Sequence, residues 1–236
     1  MKNRHYIMFL LGILSFGALY AQQGDNSSEA EKLESWNGLK VAYPFSKTVT
    51  FAAEAQLRLK SYGNSYSQAF LELQTVYEPF KSLELGLGYR NIDSYDDVGK
   101  IQGHENFHRY SGYVQGKMAI KRWDFNARIQ HQTKREINDS SSKKNNSYWR
   151  TKLGLKYNFR NWKLDPRFAV EFFMQDRFDP QDSYNKFRAS FGTRVNLKDK
   201  RNLVIKYLYE ESVNKTNPYQ YHILSLLYGL SIKKAN

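Results

Sequence analysis

Hydrophobic and polar residues alternate with a period of two along most of the chain. From residue 123 to 130, Trp, Phe, Ala and Ile alternate with Asp, Asn, Arg and Gln, and residues 186–197 repeat the pattern. Successive side chains of a strand point to opposite faces, so this pattern predicts strands with one apolar and one polar face. About eleven such segments occur, at 35–43, 48–60, 66–78, 82–91, 106–120, 123–136, 147–159, 164–178, 184–198, 201–211 and 219–233.

The connections between these segments alternate in length. Short turns are predicted at 44–47, 79–81, 121–122, 160–163 and 199–200, and longer polar loops at 61–65, 91–105, 137–146, 179–183 and 212–218. Most segments supply the roughly 9–11 residues with which a tilted strand crosses a bilayer. Short turns at one end and long loops at the other are typical of outer-membrane barrels. We therefore predict an all-β fold, a single antiparallel up-and-down transmembrane β-barrel of about 10–12 strands, over residues 34–236.

The strand count stays open at ten, eleven or twelve, because single-chain bacterial barrels normally have an even number. Either segment 35–43 is not a full barrel strand, or a further strand escapes the pattern, or pairing at the closure of the barrel is irregular.

The first 21 residues are typical of a secretory signal peptide. Lys2 and Arg4 precede an apolar run from Ile7 to Leu19, and a polar segment over residues 22–33 follows. The chain has no Cys, which excludes lipoprotein anchoring, disulfide scaffolds and thiol catalysis. The protein is therefore expected in the cell outer membrane after export.

Composition narrows the class without contradicting a barrel. The mean hydropathy of -0.71 excludes a multi-pass helical membrane protein, whereas barrel strands face lipid with only every second residue. The net charge of +13 is spread over all strands rather than concentrated in one stripe, so we expect no nucleic-acid partner. The expected partners are outer-membrane lipid and lipopolysaccharide, and protein partners stay unknown.

The polar face is predicted to line the lumen, because it carries long charged side chains with glycines among them, as a crowded interior requires. The predicted lumen-lining residues are Glu54, Arg58, Glu72, Glu84, Arg90, Arg109, Arg128, Arg150, Arg167, Glu171, Arg188 and Arg194. Their basic excess favours anions in any water-filled path. The alternative is a structural ladder of Arg–Glu pairs, and this number of strands predicts a narrow or closed lumen. Aromatic residues near strand ends are predicted at the membrane interface, namely Trp36, Trp123, Trp149 and Trp162.

No motif supports catalysis. The segment from His104 to His108 matches the H-E-x-x-H zinc pattern, but that chemistry needs a helix, and the surrounding sequence alternates as a strand. His131 and His222 fall on predicted lipid-facing positions, with Gly112 opposite His131 and Ser111 pointing into the lumen, so no Ser–His–acid set forms. We predict no catalytic residue, metal or cofactor.

Several local motifs resemble a known family. Trp36 opens the barrel region, residues 54–58 read Glu-Ala-Gln-Leu-Arg, and residues 85–90 read Leu-Gly-Leu-Gly-Tyr-Arg. Together with the repeated inward Arg, these are similar to the uncharacterised bacterial outer-membrane barrels of the domain of unknown function 2490, over roughly residues 34–233. The resemblance implies an outer-membrane barrel of about ten to twelve strands, with no established activity and no catalytic residues.

The function predicted from the sequence is a structural or surface protein of the outer membrane, or a narrow anion-preferring pore. Two alternatives stay open, a lipid-modifying enzyme of the outer membrane and a soluble secreted β-barrel that binds an apolar ligand.

Overall fold

The alternating segments form eleven strands in a computed structural model, which describes residues 32–60, 65–96, 102–137, 146–160, 164–176, 184–213 and 219–232. The strands are β1 (Lys32–Pro44), β2 (Val49–Lys60), β3 (Ser65–Phe80), β4 (Leu83–Asp96), β5 (Gly103–Ile120), β6 (Trp123–Glu136), β7 (Asn146–Tyr157), β8 (Pro166–Gln175), β9 (Tyr184–Asn196), β10 (Arg201–Ser212) and β11 (Gln220–Ser231). All eleven predicted segments are confirmed as strands. The predicted signal peptide and almost all of the polar segment 22–33 lie outside the described residues, and so does Trp162. No helix in the described ranges is long and apolar enough to cross a membrane.

The strands close into one barrel, in which every consecutive pair is antiparallel and β1 also pairs with β11. With an odd number of strands, β1 and β11 run in the same direction, so this last pairing is parallel. The consecutive strands are antiparallel as predicted, the closure has the irregular pairing that the sequence analysis left open, and the strand count is eleven.

The two ends of the barrel differ. At the turn end, the strands are joined through residues 45–48, 81–82, 121–122, 158–165 and 197–200, and at the loop end through 61–64, 97–102, 137–145, 176–183 and 213–219. One predicted loop, 91–105, is largely strand, because β4 continues to Asp96 and β5 begins at Gly103. Inside that extension Ile92 pairs with Phe107. These two buried apolar side chains hold the otherwise polar ends of β4 and β5 against the barrel interior.

Apolar side chains inside the barrel gather toward the loop end. Phe70, Ile92 and Phe107 form one buried cluster, and Trp36, Leu208 and Ile223 form another. Each of these residues lies within the first six residues of its strand, counted from the loop end. Side chains therefore pack closely around these two clusters in the loop-end half of the interior.

Candidate functional site

The barrel interior is the candidate site, because it encloses a cavity of about 860 Å³. Eleven of the twelve charged residues assigned to the lumen from the sequence line this cavity: Glu54, Arg58, Glu84, Arg90, Arg109, Arg128, Arg150, Arg167, Glu171, Arg188 and Arg194. The twelfth, Glu72, is 5% exposed and bonds to Arg90. Among the described residues, the lining of this cavity contains twelve Lys and Arg side chains and four Glu.

One set of charged groups on β7 to β10 is held together by two carboxylates. We call it the bridged layer, and it consists of Arg150, Lys152, Glu171, Lys186, Arg188 and Glu210. Glu171 bonds to Arg150 and lies 2.9 Å from the Lys152 Nζ and 3.3 Å from Arg188. Glu210 accepts a 2.8 Å hydrogen bond from the Arg188 Nε and lies 3.3 Å from the Lys186 Nζ. Since Arg188 contacts both carboxylates, the layer forms one connected network.

Two smaller networks occupy the opposite wall. The Arg90 Nε donates a 2.6 Å hydrogen bond to Glu72, and Arg109 lies 3.9 Å from the same carboxylate. Glu84 lies 2.5 Å from the Lys117 Nζ and 3.3 Å from Arg128. These carboxylates neutralise part of the basic excess of the interior.

Several guanidinium groups inside the barrel lie over aromatic rings. Arg58 lies 3.8 Å from the centroid of Trp36, and Arg90 lies 3.5 Å from that of Phe70. Arg150 and Arg188 lie 5.0 and 5.1 Å from the centroid of Phe173. These cation–π contacts are favourable where water is scarce. The sequence interpretation missed these interior rings, although each stands two residues from another inward position, as Phe70 does from Glu72.

Trp36 corrects one prediction, because it was expected at the membrane interface and instead lies inside the barrel. Its side chain is only 7% exposed, and its indole Nε1 donates a 2.8 Å hydrogen bond to Glu34. The residue pairs with Arg58 across β1 and β2 and therefore shares the inward face. A position near a strand end does not determine on which face the ring lies.

Trp123 and Trp149 do lie on the outer surface, where they are 41% and 44% exposed. Trp123 packs against Tyr157 near the turn end, with ring centroids 4.5 Å apart. Trp149 packs against His131 toward the loop end, with centroids 4.8 Å apart.

A further basic group lies between the bridged layer and the turn end. Arg167 pairs with Gly192 across β8 and β9, and Gly192 pairs with Lys206 across β9 and β10. Arg194 is the next inward residue of β9. We call Arg167, Arg194 and Lys206 the cation cluster. The alternation of Lys206 with outward Ile205 and Tyr207 indicates the same inward face.

The four histidines of the described residues lie on the outer face of the barrel. His104 and His108 belong to β5, where His104 bonds to Asp93 at 3.0 Å and His108 to the Tyr89 hydroxyl at 2.6 Å. His131 pairs with Gly112 as predicted. It lies 3.7 Å from Asp176. Within the described ranges, no group of three potential ligands could hold a metal ion.

His222 bonds to the hydroxyl of Tyr207. In the part of the chain that the structure describes, neither His131 nor His222 hydrogen-bonds to a serine hydroxyl.

Comparison with known proteins gives one match. A family model described as "Protein of unknown function (DUF2490)" matches residues 33–221. No curated protein and no solved structure matches the chain. The family match covers the greater part of the barrel, from β1 to the beginning of β11.

Proposed function

The chain belongs to the DUF2490 family of proteins of unknown function, and from that premise we propose that it is a narrow outer-membrane β-barrel whose interior favours anions. The proposal rests on the distribution of side chains across the barrel wall, which is apolar outside and charged inside. Large apolar side chains cover the outside, as Leu71, Leu87 and Ile129 do with 53%, 70% and 57% of their surface exposed. A water-soluble barrel has the opposite polarity, with apolar residues inside.

The aromatic residues of the outer face support a membrane environment. Trp123, Tyr157 and Tyr77 lie near the turn end, while Trp149 and Tyr110 lie toward the loop end. Two girdles of amphipathic rings around an apolar band are typical of transmembrane barrels, where the rings sit at the headgroup level. Outer-membrane lipid and lipopolysaccharide are the partners that this surface suits.

The interior supports an anion preference. Its excess of Lys and Arg over Glu gives any water-filled path a positive potential, which attracts anions and repels cations. Eleven strands give a bore between the side-chain-filled interior of about eight strands and the channel of about 16–18. We therefore propose a narrow pore, or a closed barrel with a structural role if the bridged layer blocks the path.

The first test is to express the chain from Gln22, refold it in detergent and run it on a denaturing gel with and without boiling. We expect faster migration of the unboiled form and β-rich circular dichroism that boiling abolishes. A protein that stays soluble without detergent and shows no gel shift would overturn the membrane proposal.

Conductance then separates a pore from a closed barrel. In planar bilayers with a KCl gradient, a pore of this interior is expected to give a reversal potential of the sign set by chloride. A reversal potential of the opposite sign would contradict the anion preference, and absence of conductance in correctly folded protein would leave the structural role.

A further inference from the structure

The cation cluster occupies the stretch of β8 to β10 between the bridged layer and the turn end. Going from Glu171 toward the turn end, the next inward residue of β8 is Ala169 and the one after it is Arg167. On β10, Leu208 separates Glu210 from Lys206 in the same way. A layer of small and apolar residues therefore separates the cluster from the carboxylates of the bridged layer.

No carboxylate of the described residues lies within 4.0 Å of a basic group of Arg167, Arg194 or Lys206. The Nε of Arg167 is buried and has no hydrogen-bond partner in the described ranges. Asp124 and Asp165 pair with Lys156, at 2.8 and 4.0 Å, and attract Arg167 only at longer range.

The three cations also repel one another. Arg194 lies within electrostatic range of both Arg167 and Lys206, and Lys152 adds to the repulsion on Lys206. Glu171 and Glu54 attract Lys206 only at longer range. Arg167 and Lys206 are partly buried while Arg194 is exposed, and among the described residues no carboxylate contacts any of the three. The cluster therefore keeps an excess of positive charge that a counter-ion compensates.

Gly192 makes this arrangement possible. A Cβ at this position would lie 2.3 Å from the Ile205 carbonyl oxygen and 2.8 Å from the Cγ of Lys206. The bare backbone therefore gives the Lys206 side chain the space to cross β9 toward Arg167 and Arg194. All three residues line the cavity of the barrel, so each is accessible to a small solute in it.

We infer that the cation cluster is a binding site for a small phosphate-bearing anion. Two guanidinium groups offer planar pairs of N–H donors that match the oxygens of a phosphate, and the ammonium group adds a third charge. A doubly charged tetrahedral anion neutralises three cations better than chloride or a single carboxylate does. The inference rests on the proposed function, since it assigns a ligand to the anion preference of the same interior.

The test measures binding of inorganic phosphate to the full barrel by titration calorimetry, at constant ionic strength with chloride as the reference anion. We expect saturable binding that sulfate competes for. A parallel titration with glycerol 3-phosphate distinguishes the sources, since tighter binding of the ester would identify phosphorylated small molecules as the ligands, and tighter binding of phosphate would identify the free ion.

The double variant Arg194→Gln/Lys206→Gln is expected to weaken phosphate binding roughly tenfold or more, because it removes two charged donors. The matched control is Lys40→Gln. Lys40 lines the same cavity but already lies 3.8 Å from Glu54 and donates a 2.9 Å hydrogen bond to Gln74, so its loss is expected to leave binding unchanged. Equal affinity of the double variant and the wild-type protein would overturn the inference.

The experiments test the phosphate site and the membrane pore independently of each other. The titration needs only a folded barrel, whose folding the heat-dependent gel shift or circular dichroism establishes for each variant. A folded wild-type protein that binds phosphate no better than chloride refutes the site even if it conducts anions. A barrel that binds phosphate but does not conduct retains the site and refutes the pore.

Discussion

In the bridged layer, Glu171 and Glu210 contact four basic residues on β7 to β10. Arg167 and Lys206 lie farther along two of the same strands and contact no carboxylate of the described residues. The two regions have similar composition in bases and the same strand geometry. They differ in where the acids fall, because the inward positions that face Arg167 and Lys206 hold Gly192 rather than Glu.

The basic residues of the two regions therefore have different effects on the barrel. Where carboxylates bridge the cations, removing one partner leaves buried charge uncompensated, so the bridged layer contributes to stability. Where carboxylates are missing, the cations weaken the fold and are available to a ligand. Sites that bind are often arranged at the expense of stability.

The largest expected effect is that of Glu171→Gln. This change leaves Arg150 and Lys152 without their carboxylate, and we expect the free energy of unfolding to fall by about 3–5 kcal/mol. Urea titration of the refolded barrel in detergent measures it. The control Glu78→Gln alters a carboxylate that is 45% exposed and pairs with Lys117, and its expected loss is below about 1 kcal/mol. Equal losses would remove the distinction between bridged and exposed charges.

The next effect concerns Gly192→Ala. The new methyl group would overlap the Ile205 carbonyl oxygen and displace Lys206, so we expect a loss of about 1–3 kcal/mol. Gly116→Ala is the matched control, because a Cβ there meets nothing within 4 Å. The denaturant midpoints of the two variants measure the change in stability. A stable Gly192→Ala barrel with unchanged phosphate affinity would show that the cluster does not depend on this glycine.

Replacing one lysine in each region is expected to change stability in opposite directions. Lys206→Met removes a cation that lies among cations, so the free energy of unfolding should rise by about 1 kcal/mol. Lys152→Met removes a partner 2.9 Å from Glu171 and should lower it by about 1–2 kcal/mol. Unfolding in phosphate-free buffer of low salt measures both. A lower free energy of unfolding in both variants would mean that the two regions do not differ in charge balance.

The smallest expected effect is the response to salt. Raising NaCl from about 0.1 M to about 1 M shortens the Debye length from about 10 Å to about 3 Å. The repulsion within the cation cluster then weakens, which should stabilise the wild-type barrel by a few tenths of a kcal/mol. Arg194→Gln/Lys206→Gln is expected to lose most of this gain, and an unchanged salt response would argue that the repulsion is already compensated.

Much of the barrel could be predicted because its evidence is local. The alternation located all eleven strands, and the long charged side chains predicted which face of each strand is polar. The extension of β4 and β5 was missed because Asn91–Asp96 is too polar to read as strand. Its stability comes from contacts with other segments, such as the pairing of Ile92 with Phe107.

The candidate site was predictable only as a set of inward residues. That Glu171 bridges Arg150 and Arg188 depends on the registers of β7, β8 and β9, which fix the partners across the strands. The isolation of Arg194 likewise depends on which residues β8 and β10 place beside it. An alternating pattern carries no information on register between strands.

The sequence by itself determined that the chain forms strands and which face of each strand is apolar, because side chains alternate with a period of two in any extended segment. Only the tertiary structure decided the parallel seam of β1 and β11, the inward position of Trp36, and the division of the basic residues into bridged and unbridged groups. These features arise from hydrogen bonds and stagger between strands that are distant in sequence, and closure of the barrel fixes them all together.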